Sequence, residues 1–81
     1  MLPRLTAAKY LHGHTLWLRF SDGQEGEVDL RNELEGEVFV PLRDEAYFKQ
    51  VEFSPELRTV VWPNGADFAP EFLRAALRIA A

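Results

Sequence analysis

The chain contains no cysteine. That excludes disulfide staples, thiolate nucleophiles and cysteine-ligated zinc in one step. In 81 residues the absence is informative, because secreted domains of this size usually depend on disulfides. Serine is almost as scarce. Ser21 and Ser54 are the only two, each in a turn, and neither lies in the Gly-x-Ser-x-Gly elbow of a nucleophilic hydrolase. Five glycines are scattered singly, so no glycine-rich phosphate loop exists. No apolar run approaches the ~18 residues that would cross a membrane. Arg4 and Lys9 are not followed by the continuous apolar segment of a signal peptide. A cytoplasmic location with no membrane partner is the expectation.

Basic side chains are outnumbered, nine Lys and Arg against 13 Asp and Glu, for a net charge of −4. Cations supply most of the affinity for a phosphate backbone, so nucleic-acid binding by this domain alone is not expected. A basic protein partner is compatible with the charge.

What is present is an ordinary globular composition, 47% apolar and 27% charged, which offsets chain entropy and argues against disorder. The length predicts a single domain over residues 1–81. Six Phe, two Trp and two Tyr suit a small core built from a few large side chains.

Leu5 to Leu11 reads as a strand. Thr15-Leu16-Trp17-Leu18-Arg19-Phe20 alternates cleanly, with Leu16, Leu18 and Phe20 on one face and Thr15, Trp17 and Arg19 on the other. Glu25 to Leu30 alternates again, Val28 and Leu30 inward and three acids outward. A two-residue Asp22-Gly23 turn would place Phe20 against Glu25 and mix apolar with acidic residues on one face. A three-residue loop, Ser21-Asp22-Gly23, pairs Leu16 with Val28 and Arg19 with Glu25, and puts Gly23 at the left-handed position of a bulged hairpin. Asp44 can cap a short helix from Glu45 to Gln50. Val51 to Phe53 and Thr59 to Trp62 form an antiparallel pair. Pro70 to Ala80 is the strongest helix pattern, with Phe72, Leu73, Ala76, Leu77 and Ala80 on one stripe. The fold class is therefore α+β: a small antiparallel sheet in the order β-β-β-α-β-β-α, with helices packed on one face.

Candidate chemistry is thin. His12 and His14 flank Gly13 and could share a strand face, but a metal would need a third, distant ligand, and two turn histidines is the simpler reading. Glu25, Glu27 and Asp29, with Glu33, Glu35 and Glu37 beyond, read as a solvated acidic face rather than a catalytic pair, since nothing local drives their pKa values apart. No catalytic set, cofactor or metal is expected. Trp17 falls on the polar face of its hairpin. Either a helix or the chain end covers it, or it is an exposed aromatic of the kind enriched in interface hot spots.

Thr59-Val60-Val61-Trp62-Pro63-Asn64-Gly65-Ala66-Asp67 is the densest stretch. Trp62-Pro63-Asn64-Gly65 fits a type I turn with Pro second and Gly fourth. Asp67 is placed to accept backbone N–H bonds from that loop or from the helix start. The stretch is either a structural corner joining the last strand to the last helix or a polar loop with an aromatic anchor. Trp17, Trp62, Asn64 and Asp67 together make the candidate interaction surface.

Thr59 to Glu71 resembles the signature of DUF2442, a small bacterial family known as a domain of unknown function. The hairpin from Leu16 through Ser-Asp-Gly, the strand Glu27 to Leu30, and the segments Gly36 to Phe39 and Pro41 to Asp44 are similar to the family's remaining pattern. The resemblance implies an α+β domain with no established activity. It also implies frequent pairing with a small protein encoded next door, in an arrangement similar to toxin–antitoxin pairs. Some longer relatives add a helix-turn-helix domain. This chain ends just after its last helix, so that route to DNA is not expected. The expected function is a non-enzymatic protein-interaction module, with a small-molecule or sensory pocket near Trp62 and Asp67 as the alternative.

Overall fold

The computed structural model describes residues 3–78. Five strands and two helices run β1 Leu5–His12, β2 Thr15–Phe20, β3 Glu25–Asp29, α1 Glu45–Phe48, β4 Glu52–Ser54, β5 Thr59–Val61 and α2 Pro70–Ala76. This is the predicted order. The strands divide into two antiparallel sheets, β1-β2-β3 and β4-β5, rather than one.

The β2–β3 hairpin has the register that alternation demands. Leu16 pairs with Val28 and Arg19 with Glu25. The Gly23 amide donates to the Phe20 carbonyl (3.0 Å), and Gly23 takes φ +86°, the left-handed region open to glycine. On β1, irregularities between Leu5 and Ala7 and between Tyr10 and His12 reset the alternation twice. The first of these is why Leu5 and Tyr10 both turn inward although an odd number of steps separates them.

The inner face of the three-stranded sheet supplies Leu5, Leu16, Leu18, Phe20 and Val28 to one buried cluster. Phe48 of α1, Val60 of β5, Trp62, Phe68 and Leu73 of α2 close that cluster from the other side. Both helices therefore cover the same face. Among the described residues no buried polar side-chain atom lacks a hydrogen-bond partner. The buried Thr59 hydroxyl, for example, donates to the Phe68 carbonyl.

The connection from β3 to α1 is built from two 3₁₀ turns, Arg31–Glu33 and Val40–Arg43. Neither is visible as a periodic pattern, because a single turn is too short to show one. Asp44 caps α1 as expected, its carboxylate accepting from the Ala46 amide (3.0 Å). The helix ends at Phe48, two residues before the predicted Gln50.

The last helix departs further from its predicted span. It stops at Ala76, Leu77 is extended (ψ 130°), and Arg78 forms an antiparallel bridge with Glu27 on β3. The apolar stripe predicts a helix to Ala80, but two backbone hydrogen bonds to the open edge of β3 take the chain out of helix first. Ala80 lies outside the described residues. Phe72, predicted inward, is 37% exposed and lies stacked against Phe68 at 5.5 Å.

Candidate functional site

The two halves of the predicted interaction surface have opposite fates. At the corner, β5 ends at Val61 and a tight turn follows. The Gly65 amide donates to the Trp62 carbonyl (2.9 Å) and the Trp62 amide to the Ala66 carbonyl (3.0 Å). Gly65 has φ +89°. Asn64 organises the turn: its Oδ1 accepts from the Ala66 amide (3.0 Å) and its Nδ2 donates to the Val38 carbonyl (2.9 Å). That side chain ties the corner to the β3–α1 connection, 26 residues away in sequence. The role expected of Asp67 thus belongs to Asn64. Asp67 is exposed, and its backbone pairs with Val61.

Trp62 itself is 3% exposed. Its Nε1 donates to the Phe48 carbonyl at the end of α1 (2.8 Å), and its ring packs on Phe48 (5.3 Å) and edge-on to Phe68 (5.8 Å). A buried tryptophan needs a partner for its indole N–H, and the carbonyls in the last turn of a helix, outside the intrahelical ladder, have a lone pair to offer; that of Phe48 also accepts from the Val51 amide (3.2 Å). Trp62 therefore joins α1 to the corner from inside. Its ring is not a contact surface.

The outer face of the three-stranded sheet is different. Cross-strand pairing sets Lys9, Trp17 and Glu27 in one row and Ala7, Arg19 and Glu25 in the next. Trp17 is half-buried. The Arg19 guanidinium lies over its ring at 5.3 Å and its Nε donates to Glu25 Oε2 at 2.8 Å. Trp17 lines a concavity of about 570 Å³ with Gln24, Glu25, Glu27 and Arg78. Neither helix lies over it. Of the described residues, Arg78 meets its rim through the bridge to Glu27.

That bridge also defines the edge. Glu27 N–H donates to the Arg78 carbonyl (3.1 Å) and Arg78 N–H to the Glu27 carbonyl (2.7 Å). The backbone groups of Glu27 point away from the sheet, and by strand alternation so do those of Glu25 and Asp29. An acidic edge strand is thus met by Arg78 at one position.

His12 is the last residue of β1 rather than a turn residue, whereas His14 lies in the turn as expected and does more. Its Nε2 lies 3.1 Å from the Leu42 carbonyl and 2.9 Å from the Arg43 carbonyl, and its ring is edge-on to Phe48 at 4.9 Å. No group of three or more metal-binding side chains occurs among the described residues, and no helix there is long and apolar enough to cross a membrane. Sequence reading could not find the His14 contact, because its acceptors are backbone carbonyls 28 and 29 residues away.

Fold and surface together define a small α+β domain of two antiparallel sheets over one core, with an aromatic, acid-rimmed outer face. A family model described as "Protein of unknown function (DUF2442)" matches residues 5–78. The chain belongs to that family. No curated protein and no solved structure matches it.

Proposed function

We propose that this chain is a non-enzymatic protein-interaction module, antitoxin-like in arrangement, that binds a small protein encoded beside it. The observation that carries the reading is Trp17: a half-buried indole in a concavity on the outer sheet face, next to an edge strand whose outward side chains are Glu25, Glu27 and Asp29. Beyond the Glu27–Arg78 bridge, the outward backbone groups of an edge strand are a template for an added strand. The acids select the partner's charge. Glu25 is engaged by Arg19, whereas Glu27 has no cation within ion-pair distance among the described residues. The occupant is an extended segment carrying Lys or Arg. Its aliphatic stem lies along the indole and its charge reaches Glu27.

A ligand pocket beside Trp62 and Asp67 is the weaker reading, because the Trp62 ring is enclosed and offers no face to a ligand.

Co-expression with the product of the adjacent gene tests the proposal. A complex is expected at micromolar concentrations, lost on Trp17→Ala and on Glu27→Lys while both variants remain folded. No complex, or a complex indifferent to both substitutions, would overturn it.

A further inference from the structure

We propose that the concavity lined by His14, Arg31, Asn32, Leu34, Glu35 and Arg43 is a binding site for a small molecule carrying an oxyanion group, a phosphate or a carboxylate. Its volume, about 400 Å³, falls in the range of ~300–1,000 Å³ typical of small-molecule sites. The site is separate from the Trp17 face and independent of the partner proposed there.

The first observation is charge. In an acidic chain, two arginines and a histidine converge on this concavity from the β1–β2 turn, the 3₁₀ turn after β3 and the 3₁₀ turn before α1. Among the described residues, the arginines that meet carboxylates are Arg19 and Arg74. Arg31 and Arg43 have no carboxylate within 4.0 Å there. Guanidinium forks match carboxylate and phosphate oxygens in pairs, so two arginines without a carboxylate partner in one depression favour such a group.

The second observation is rigidity. Arg43 Nε donates to the Leu34 carbonyl at 2.7 Å, which fixes the guanidinium plane and leaves its Nη groups for a ligand. The carbonyls of Leu42 and Arg43 both face His14 Nε2, so that nitrogen carries a proton. The Arg31 amide is held by Asp29 Oδ1 at 3.0 Å, anchoring the turn from which its side chain extends. The Arg43 guanidinium, the His14 ring and the backbone that carries Arg31 are thus fixed before a ligand arrives, which lowers the ordering cost of binding. Glu35 on the lining opposes an anion. It limits affinity and supplies a test.

The experiment is an amide NMR titration of the whole chain with inorganic phosphate at constant ionic strength, with chloride as the control and acetate as a second arm. Saturating shifts at Asn32, Leu34 and Arg43 are expected with phosphate or acetate and not with chloride. The arm that saturates at the lower concentration identifies the oxyanion. Arg31→Gln should weaken binding at least tenfold with an otherwise unchanged spectrum. Glu35→Gln should tighten it several-fold. Arg43→Lys, which keeps the charge but loses the fork, should weaken it. Shifts that are linear, equal with chloride, or indifferent to Arg31→Gln would overturn the assignment.

Discussion

The two tryptophans lie on opposite faces of one sheet and do opposite work. Trp62 closes the core against the inner face, with its N–H held by Phe48. Trp17 lies on the outer face, with a guanidinium on its ring and a concavity beside it. The side chain is the same and so is the strand-like setting. What separates them is which side of the sheet has an element to cover it. Both helices, β4 and β5 pack on the inner side. Among the described residues, the outer side is met at its edge by Arg78. Burial of an aromatic here is decided by topology and not by residue type.

The largest effect that would sharpen this contrast is Trp62→Ala. Emptying the centre of a small core should cost about 3–5 kcal/mol, a large share of the stability of so small a domain. Trp17→Ala should cost under about 1 kcal/mol, as a half-exposed side chain away from the core. Urea denaturation of both variants checks the pair, and equal losses would break the comparison. Trp62→Phe refines it. The indole N–H and part of the ring go while the Phe48 carbonyl keeps the Val51 amide (3.2 Å), so the loss should be smaller than for Trp62→Ala, about 1–2 kcal/mol.

Next in size are the corner's own residues. Gly65→Ala forces an L side chain into φ +89° with open space around the new Cβ, so the cost is conformational and about 1–2 kcal/mol. Asn64→Ala removes one hydrogen bond within the turn and one to Val38, at about 0.5–1.5 kcal/mol each. A neutral Asn64→Ala in thermal melts would mean the turn is held by its backbone alone and the tie to Val38 adds nothing.

The same contrast shows what could be read from the chain. Thr15 to Phe20 alternates over six residues, and Glu25 to Asp29 alternates opposite it. Faces, register and the Gly23 loop follow from that pattern, because a one-residue slip would put acids in the core. The same pattern puts Trp17 on the outer face. Thr59-Val60-Val61-Trp62 is apolar throughout and short, so nothing local says which side each residue meets. The hydrogen bond that settles Trp62 reaches back 14 residues to Phe48. The anchors of His14 and Asn64 are likewise backbone carbonyls distant in sequence, and a carbonyl has no residue type to recognise. The end of α2 escapes the sequence pattern for a related reason. The stripe reports helical preference, while the open edge of β3 that captures Arg78 exists only once the hairpin has folded.

The smallest predicted effect concerns the bond that joins the Trp17 hairpin to the helix launched from the Trp62 corner. Asp22, in the hairpin loop, has its pKa lowered. The Gln24 amide donating to Oδ1 (3.1 Å) contributes most, followed by Arg74 Nε of α2 donating to Oδ2 (3.0 Å). A carboxylate whose folded pKa lies below its unfolded one adds stability above the unfolded value, and that contribution is lost as pH falls through the folded value. Acid should therefore loosen α2 from the hairpin only below the ordinary aspartate range. Because the carboxylate is exposed and screened, the change in overall stability should be slight. A carbonyl-detected NMR titration reads it directly. In Arg74→Gln, the Asp22 midpoint should rise only part of the way to the ordinary value, since the Gln24 amide remains. A full return would assign the depression to Arg74. No movement would mean that the helix does not hold the hairpin through this bond, leaving the shared core as the link between the two tryptophan regions.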